Sequence, residues 1–303
     1  QVIKARPRLI LTVDNKGFAI RFASRLKRRM KAVGWSVPII HCVAPTVWAW
    51  GSWRAKKIAT VMDGLFCLFP FEPNYFKPFG LDAHFIGHPE AFGDFLPAKP
   101  VDETIKEPRI KFNKIILLPG SRRSEISRIL PEMLAATAII KRHDPNLNFV
   151  LPAVPHLLQL IQSLVEGSGV TILDQPEDLI PALQTSDAMI ATSGTITLQA
   201  ALCGTVGVTC YITGAFSGFI GRRLVDLDKA ILPNAILGRP LYPFYFQEAA
   251  TGKTLAAATL DCLYDANAKS SARHAAIELK SLLTGGAQSF DELVISALKN
   301  WLD

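Results

Sequence analysis

Hydrophobic positions along the chain switch repeatedly between two patterns. Short continuous apolar runs read as buried strands, and stretches with apolar residues three or four apart read as amphipathic helices. Arg8–Val13 is predicted as a strand. Phe18–Val33 is predicted as a helix with Phe18, Phe22, Leu26 and Met30 on one face and Arg21, Arg25, Arg28 and Arg29 on another. Val37–Cys42 is a strand, Ser52–Val61 a helix, Gly64–Phe69 a strand and His84–Gly87 a short strand. Residues 89–113, rich in proline and charge and without a sustained period, read as a linker. A second series follows: strand 114–118, helix 124–142, strand 147–151, helix 155–166, strand 170–173, helix 177–185, strand 187–191, helix 195–203 and strand 205–209. Residues 252–283 are predicted helical, and 287–302 form a last helix. Strands alternating with helices imply an α/β fold built on parallel sheets. A length of 303 residues implies about two domains.

One stretch tests that reading. Residues 188–221 contain no Asp, Glu, Lys or Arg, which raises the question of a membrane span. Six glycines, several threonines and a glutamine interrupt the stretch, and short strands with glycine-led helices account for it better.

Charge adds a polarity that hydropathy does not show. Residues 1–57 hold 13 Lys and Arg against one acid, Asp14, within a chain of net charge +7. A basic segment of this kind expects an anionic partner: nucleic acid, a phosphorylated substrate or an anionic membrane. The five cysteines are scattered and lack a CxxC pair, and the six histidines lack ligand spacing. No metal, no cofactor and no disulfide framework are expected, and a reducing cytoplasm is favoured. The chain begins at Gln1, which reads as a processed or partial record, and its first residues carry no signal-peptide pattern.

The candidate chemistry begins at Leu117-Leu118-Pro119-Gly120-Ser121-Arg122. An apolar strand is broken by Pro and Gly, Ser121 is placed to cap the helix that follows, and Arg122 sits in the turn. Helix starts attract anions through backbone N–H groups, and arginine grips phosphate bidentately. Thr192-Ser193-Gly194-Thr195 repeats the arrangement after the strand Ala188–Ala191. Two such turns at neighbouring strand ends can hold a pyrophosphate. Neither matches a Walker A loop or a GxGxxG fingerprint, so ATP hydrolysis and hydride transfer are not favoured.

Six blocks then carry a family resemblance: His41-Cys42-Val43-Ala44-Pro45-Thr46-Val47-Trp48-Ala49-Trp50, Phe69-Pro70-Phe71-Glu72, Phe85-Ile86-Gly87-His88, Leu118-Pro119-Gly120-Ser121-Arg122, Ser193-Gly194-Thr195, and Leu232-Pro233-Asn234 with Gly238-Arg239. In this order they resemble the bacterial lipid-A-disaccharide synthases. The resemblance implies a GT-B glycosyltransferase, with two Rossmann-like domains across a cleft. It implies a partial acceptor-side domain over residues 1–100, on which helix 287–303 packs back, and a UDP-sugar donor domain over 101–286.

The implied reaction joins UDP-2,3-diacylglucosamine to 2,3-diacylglucosamine 1-phosphate with inversion and without metal, releasing UDP. On this resemblance Asp14 is the catalytic base and Arg122 neutralises the leaving diphosphate. Ser121, Ser193, Gly194, Thr195, Gln199, Asn234, Arg239, Gln247 and Glu248 line the donor side. Asp14 also suits a helix N-cap. Trp48 and Trp50 form a wall for acyl chains or a sugar ring, or pack a loop onto its domain. The implied partners are the UDP-sugar lipid donor, the phosphorylated lipid acceptor and an anionic membrane surface; a homodimer is compatible. The implied location is the cytoplasm, peripheral on the inner face of the bacterial inner membrane. No recognition motif supports nucleic acid.

The chain departs from the family pattern in two places. It lacks the leading strand and Gly-rich loop, so its N-terminal domain is expected to be incomplete and to expose sheet edges. It also carries Gln199 where the family usually has Glu, which weakens the expected UDP binding. The alternatives are a truncated or decayed relative that binds UDP or lipid without turnover, or another UDP-sugar GT-B enzyme such as a UDP-GlcNAc epimerase.

Overall fold

The structure, a computed structural model, describes residues 1–49, 51–95, 114–214 and 230–302. The chain forms two compact units, one of Gln1–Gly93 with Lys280–Asp303 and the other of Asp94–Leu279. Each is an α/β unit on a parallel sheet, as expected of a GT-B chain.

In the first unit, β1 (Ile10–Val13), β2 (Ile39–Cys42), β3 (Gly64–Cys67) and β4 (Asp82–Phe85) pair in parallel in that order. The helices α1 (Val2–Ala5), α2 (Lys16–Ala32), α3 (Arg54–Ala59) and α4 (Pro73–Phe76) accompany them. Helix α2 is capped by Asn15, whose side chain accepts from the Phe18 N–H at 3.2 Å. It buries Ala19, Ala23, Leu26 and Met30 against Ile39 and Leu65. The two alanines bring the helix close to the sheet. Phe18 turns out to solvent and stacks on Phe22 at 5.7 Å. Strand β1 is the sheet edge, and it presents Leu11 and Val13 to solvent.

The second unit places β5 (Lys114–Leu118), β6 (Asn148–Pro152), β7 (Val170–Leu173), β8 (Ala188–Thr192), β9 (Gly207–Tyr211) and β10 (Phe244–Phe246) in the order β10-β9-β8-β5-β6-β7, all parallel. Its helices are α5 (Arg123–His143), α6 (Leu158–Val165), α7 (Leu179–Thr185), α8 (Ile196–Leu202), α9 (Leu232–Leu237), α10 (Gly252–Tyr264) and α11 (Ala266–Thr284). Every residue of β8 is buried, which is why it reads as an apolar run without alternation. Ile126, Ile129, Leu130 and Met133 of α5 are fully buried with Ile115 and Leu117. Each such side chain contributes roughly 1.5–3 kcal/mol through burial.

The single helix expected over 252–283 divides at Asp265, whose backbone is extended with ψ 113°. Helix α10 approaches α5 closely: a Cβ on Gly252 would meet Ala135 Cβ at 2.5 Å, and the Gly252 N–H donates to Glu132 Oε2 at 2.7 Å. The last helix, α12 (Phe290–Leu302), covers Ile40, Phe66 and Ile86 of the first unit. Among the described residues no helix is long and apolar enough to cross a membrane.

Candidate functional site

Strand order alone locates a site in the second unit. The chain runs outward from β5 through β6 to β7, then returns to the other side of β5 for β8, β9 and β10. The reversal falls between β5 and β8, which pair with Leu118 opposite Ala191. Open parallel sheets bind ligands beyond the carboxyl ends of the strands at such a reversal. Here the turn Pro119–Arg122 follows β5 and the turn Ser193–Thr195 follows β8. The two turns share one cavity of about 510 Å³, lined also by Glu125, Pro152, Gln175, Thr192 and Gln199.

The first turn is built around Glu125. Helix α5 is capped at Arg122 rather than at Ser121, whose side chain is exposed. The carboxylate of Glu125, in the first turn of the helix, reaches back as an N-terminal capping residue does. Oε2 accepts the Arg122 backbone N–H at 3.3 Å, and Oε1 lies 2.7 Å from the Arg122 guanidinium. The Tyr211 hydroxyl, at the end of β9, is 3.5 Å from the same Oε1. Gly120 makes room for this carboxylate: its φ is +103°, and a Cβ there would sit 2.7 Å from Glu125 Oε2. Burial and the neighbouring Glu125 charge push the Tyr211 phenol above its ordinary range.

The second turn is held by its own side chains. The Ser193 hydroxyl donates to the Ala230 carbonyl at 2.8 Å, and its N–H donates to the Cys210 carbonyl at 3.0 Å. Thr197 Oγ1 donates to the Gly194 carbonyl at 2.7 Å. Thr195 stands exposed at the N-cap of α8. Thr192 Oγ1 is buried, with no hydrogen-bond partner among the described residues.

Four residues expected to line the donor side are not among those lining this cavity. Asn234 is consumed by the fold. Its Oδ1 accepts the N–H groups of Leu241 and Tyr242 at 2.9 and 3.0 Å, and its Nδ2 donates to the Tyr242 carbonyl at 2.9 Å. Arg239 pairs with Glu278 at 2.5 Å. Gln247, with φ +54°, exchanges hydrogen bonds with the backbone of Thr213 at 2.9 and 3.4 Å, tying the ends of β9 and β10 together. Glu248 follows it in a short turn.

In the first unit Asp14 stands at the carboxyl end of β1, exposed, with φ +52°. The cap of α2 is Asn15, so the Asp14 carboxylate is not spent on capping. Asp14, Asn15 and Val43 all have left-handed backbones, and all three line a cavity of about 390 Å³ with Lys16, Gly17 and Ala44. For β-branched Val43, at φ +74°, this conformation is strained, and such strain gathers at functional sites. Beneath lies His41, fully buried, with Nδ1 2.9 Å from Thr12 Oγ1. Burial lowers the His41 pKa, while a hydrogen bond to the Thr12 backbone and the Asp14 charge pull the other way. Sequence reasoning missed the part Glu125 plays in the first turn and the burial of His41.

Trp48 is not an open wall. It is 6% exposed, donates to Glu72, and meets Phe69 and Phe71 edge-on. Trp50 lies outside the described residues.

The chain matches the family described as Lipid-A-disaccharide synthetase over residues 1–296. It is 34% identical to the Lipid-A-disaccharide synthase of Rhodospirillum centenum, an alignment covering 88% of this chain and 67% of that one. It is 35% identical to the Lipid-A-disaccharide synthase of Paraburkholderia phytofirmans, over 99% of this chain and 76% of the other. Among solved structures it resembles a UDP-GlcNAc 2-epimerase from Neisseria meningitidis bound to UDP-GlcNAc, with TM-score 0.61 and 10% identity over 99% of this chain and 78% of that one. It also resembles the glycosyltransferase of kitacinnamycin, with TM-score 0.56 and 15% identity over 100% and 78%. The structural likenesses are distant and speak for the fold. The sequence match spans nearly the whole chain and decides the family: the chain belongs to the lipid-A-disaccharide synthetase family.

Proposed function

We propose that the cavity between the turns after β5 and β8 takes the diphosphate of a UDP-sugar lipid, and that the chain joins UDP-2,3-diacylglucosamine to 2,3-diacylglucosamine 1-phosphate with inversion. As a member of its family the chain is a glycosyltransferase of lipid A disaccharide synthesis. The observation that carries the donor reading is the meeting of Arg122 with the Ser193–Thr195 turn at the point where the strand order reverses.

Transfer builds negative charge on the leaving UDP as the glycosidic bond breaks. Arg122, exposed and lining the cavity, offsets that charge, and donors aimed at developing charge supply much of an enzyme's rate enhancement. Ser121 and the backbone around Gly194 and Thr195 contact the phosphates, and Gln199 faces the ribose. Asp14 accepts the proton of the acceptor's 6-hydroxyl, opposite in role to Arg122.

The basic face of α2 rests on an anionic membrane surface, the inner face of the bacterial inner membrane. Arg21, Arg25, Arg28 and Arg29 flank a groove of about 810 Å³ with Phe18 and Phe22 along it, a pairing of cation and apolar ring that suits a lipid interface. The deciding experiment is an assay of UDP release with both lipid substrates. Release dependent on the acceptor supports the transferase. UDP binding without release supports the non-catalytic alternative, and neither binding nor release removes the donor reading.

A further inference from the structure

Glu125 has no part in the reading above, yet its carboxylate sits inside the cavity assigned to a diphosphate. Its side chain is 11% exposed, and a buried anion there opposes an anionic ligand. It is fixed in place. It belongs to the first turn of α5, its Oε2 accepts the Arg122 N–H at 3.3 Å, and Gly120 backs closely onto it. Arg122 is the opposite case: its side chain is 76% exposed and touches Glu125 only through the guanidinium at 2.7 Å. Of the two partners, the arginine stands exposed, and the carboxylate is buried with hydrogen bonds on both oxygens.

We propose that Glu125 is a resident counter-anion, a positioning residue that holds Arg122 in the empty site and yields it to the incoming diphosphate. This rests on the donor-site reading above. Tyr211, whose hydroxyl is 3.5 Å from Glu125 Oε1, remains with the carboxylate, as does the Arg122 backbone N–H, once the guanidinium has left. The exchange sets a threshold. A ligand must offer Arg122 more charge than one carboxylate does, which favours a phosphorylated ligand over a lone carboxylate. It also keeps the guanidinium aimed across the turn when the site is empty.

The test is calorimetric titration of UDP and of inorganic pyrophosphate into the full chain, wild type and Glu125→Gln, at low and high NaCl, with thermal melts to establish folding. Gln retains the acceptor for the Arg122 N–H and loses the charge. UDP binds Glu125→Gln about two- to five-fold tighter, the worth of a charge pair whose arginine is exposed, and the difference narrows as salt screens it. Damage to the helix start produces the reverse sign. Equal or weaker binding by a folded Glu125→Gln protein overturns the proposal and leaves the donor site standing. Should Glu125→Gln not fold, Tyr211→Phe serves: the carboxylate then depends more on Arg122, and UDP binds more weakly. Unchanged or tighter binding by Tyr211→Phe overturns the proposal equally. If the wild type takes up neither UDP nor pyrophosphate, the donor reading fails and the counter-anion falls with it.

Discussion

The indole N–H of Trp48 donates to Glu72 Oε1 at 3.1 Å, while Oε2 of the same carboxylate accepts the N–H groups of Leu68 and Phe69, each at 3.1 Å. One buried side chain thus joins the loop after β2 to the turn after β3. Burial pushes the Glu72 carboxyl up to about 7, against the pull of these donors. A carboxyl whose folded pKa is raised takes up a proton on folding. Its contribution is full below the unfolded value and is lost as pH climbs through about 7. Glu72→Gln cannot titrate, and its single acceptor oxygen cannot serve both the indole and the Leu68 and Phe69 N–H groups. Its stability deficit against wild type is therefore larger at about pH 5 than at about pH 8. Denaturant titrations at both values check this, and a deficit that grows with pH contradicts it.

Asp14 and Asn15 are neighbours with separable duties. Asn15 accepts the Phe18 N–H and caps α2. Asn15→Ala is expected to lower stability by about 1 kcal/mol, as loss of an N-cap does, with turnover retained. Asp14→Asn keeps the fold and lowers kcat by about 10²–10⁴-fold, the range of a lost general base. Melts and UDP-release rates on the two variants separate the roles. Equal turnover in wild type and Asp14→Asn removes Asp14 from the chemistry.

Much of this architecture is legible in the sequence, because buried parallel strands are unbroken apolar runs. Lys114–Leu118 and Ala188–Thr192 announce themselves, and so does the stripe of α5. The two turns of the candidate site are legible for the same reason: Pro119-Gly120 and Ser193-Gly194 end those runs abruptly. What escapes is short or non-local. Strand β10 spans three residues between Pro243 and Gln247, too few to display a period. The break at Asp265 has no glycine or proline to mark it. Glu125 reads as an ordinary first-turn acid until Tyr211, 86 residues away, arrives at its carboxylate. Asn234 sits in a block shared with the family, yet its three hydrogen bonds all serve its own turn.

That turn yields the third prediction. Asn234→Ala strands the Tyr242 N–H and carbonyl inside the protein and leaves the half-buried Leu241 N–H without its acceptor. Each buried group left without a partner costs about 1–3 kcal/mol, so the variant loses at least about 2 kcal/mol of stability. UDP affinity, measured below the melting transition, stays near that of wild type. A stable Asn234→Ala protein with lost UDP binding reverses the assignment and makes Asn234 a ligand contact.

The arginine face of α2 gives a prediction about surfaces. Each basic side chain near an anionic leaflet contributes about 1 kcal/mol, so replacing Arg21, Arg25, Arg28 and Arg29 by Gln weakens attachment by about 4 kcal/mol at low salt. These side chains project from the helix, and the buried stripe Ala19, Ala23, Leu26 and Met30 is untouched. Cosedimentation with phosphatidylglycerol vesicles measures the loss. Binding that survives both the fourfold change and high salt would show that charge is not what holds the chain there.

Gln199 lines the cavity proposed for the donor from the first turns of α8, where the resemblance expects Glu. A carboxylate accepts hydroxyl hydrogen bonds more strongly than a carboxamide, by about 1 kcal/mol, and it brings no N–H₂ that must find an acceptor of its own. Against this stands the added charge, which opposes a nearby diphosphate. The two effects separate by choice of ligand. Uridine carries the ribose without phosphates, so Gln199→Glu binds it about five-fold tighter than wild type. UDP gains less, because phosphate repulsion subtracts from the same hydrogen bonds. 2′,3′-Dideoxyuridine carries neither ribose hydroxyl and gains nothing. Calorimetry on the three ligands decides the matter: a uniform change across all three rejects ribose recognition by residue 199, whereas a gain confined to the ligands with ribose hydroxyls makes this position the one that tunes nucleoside affinity in the chain.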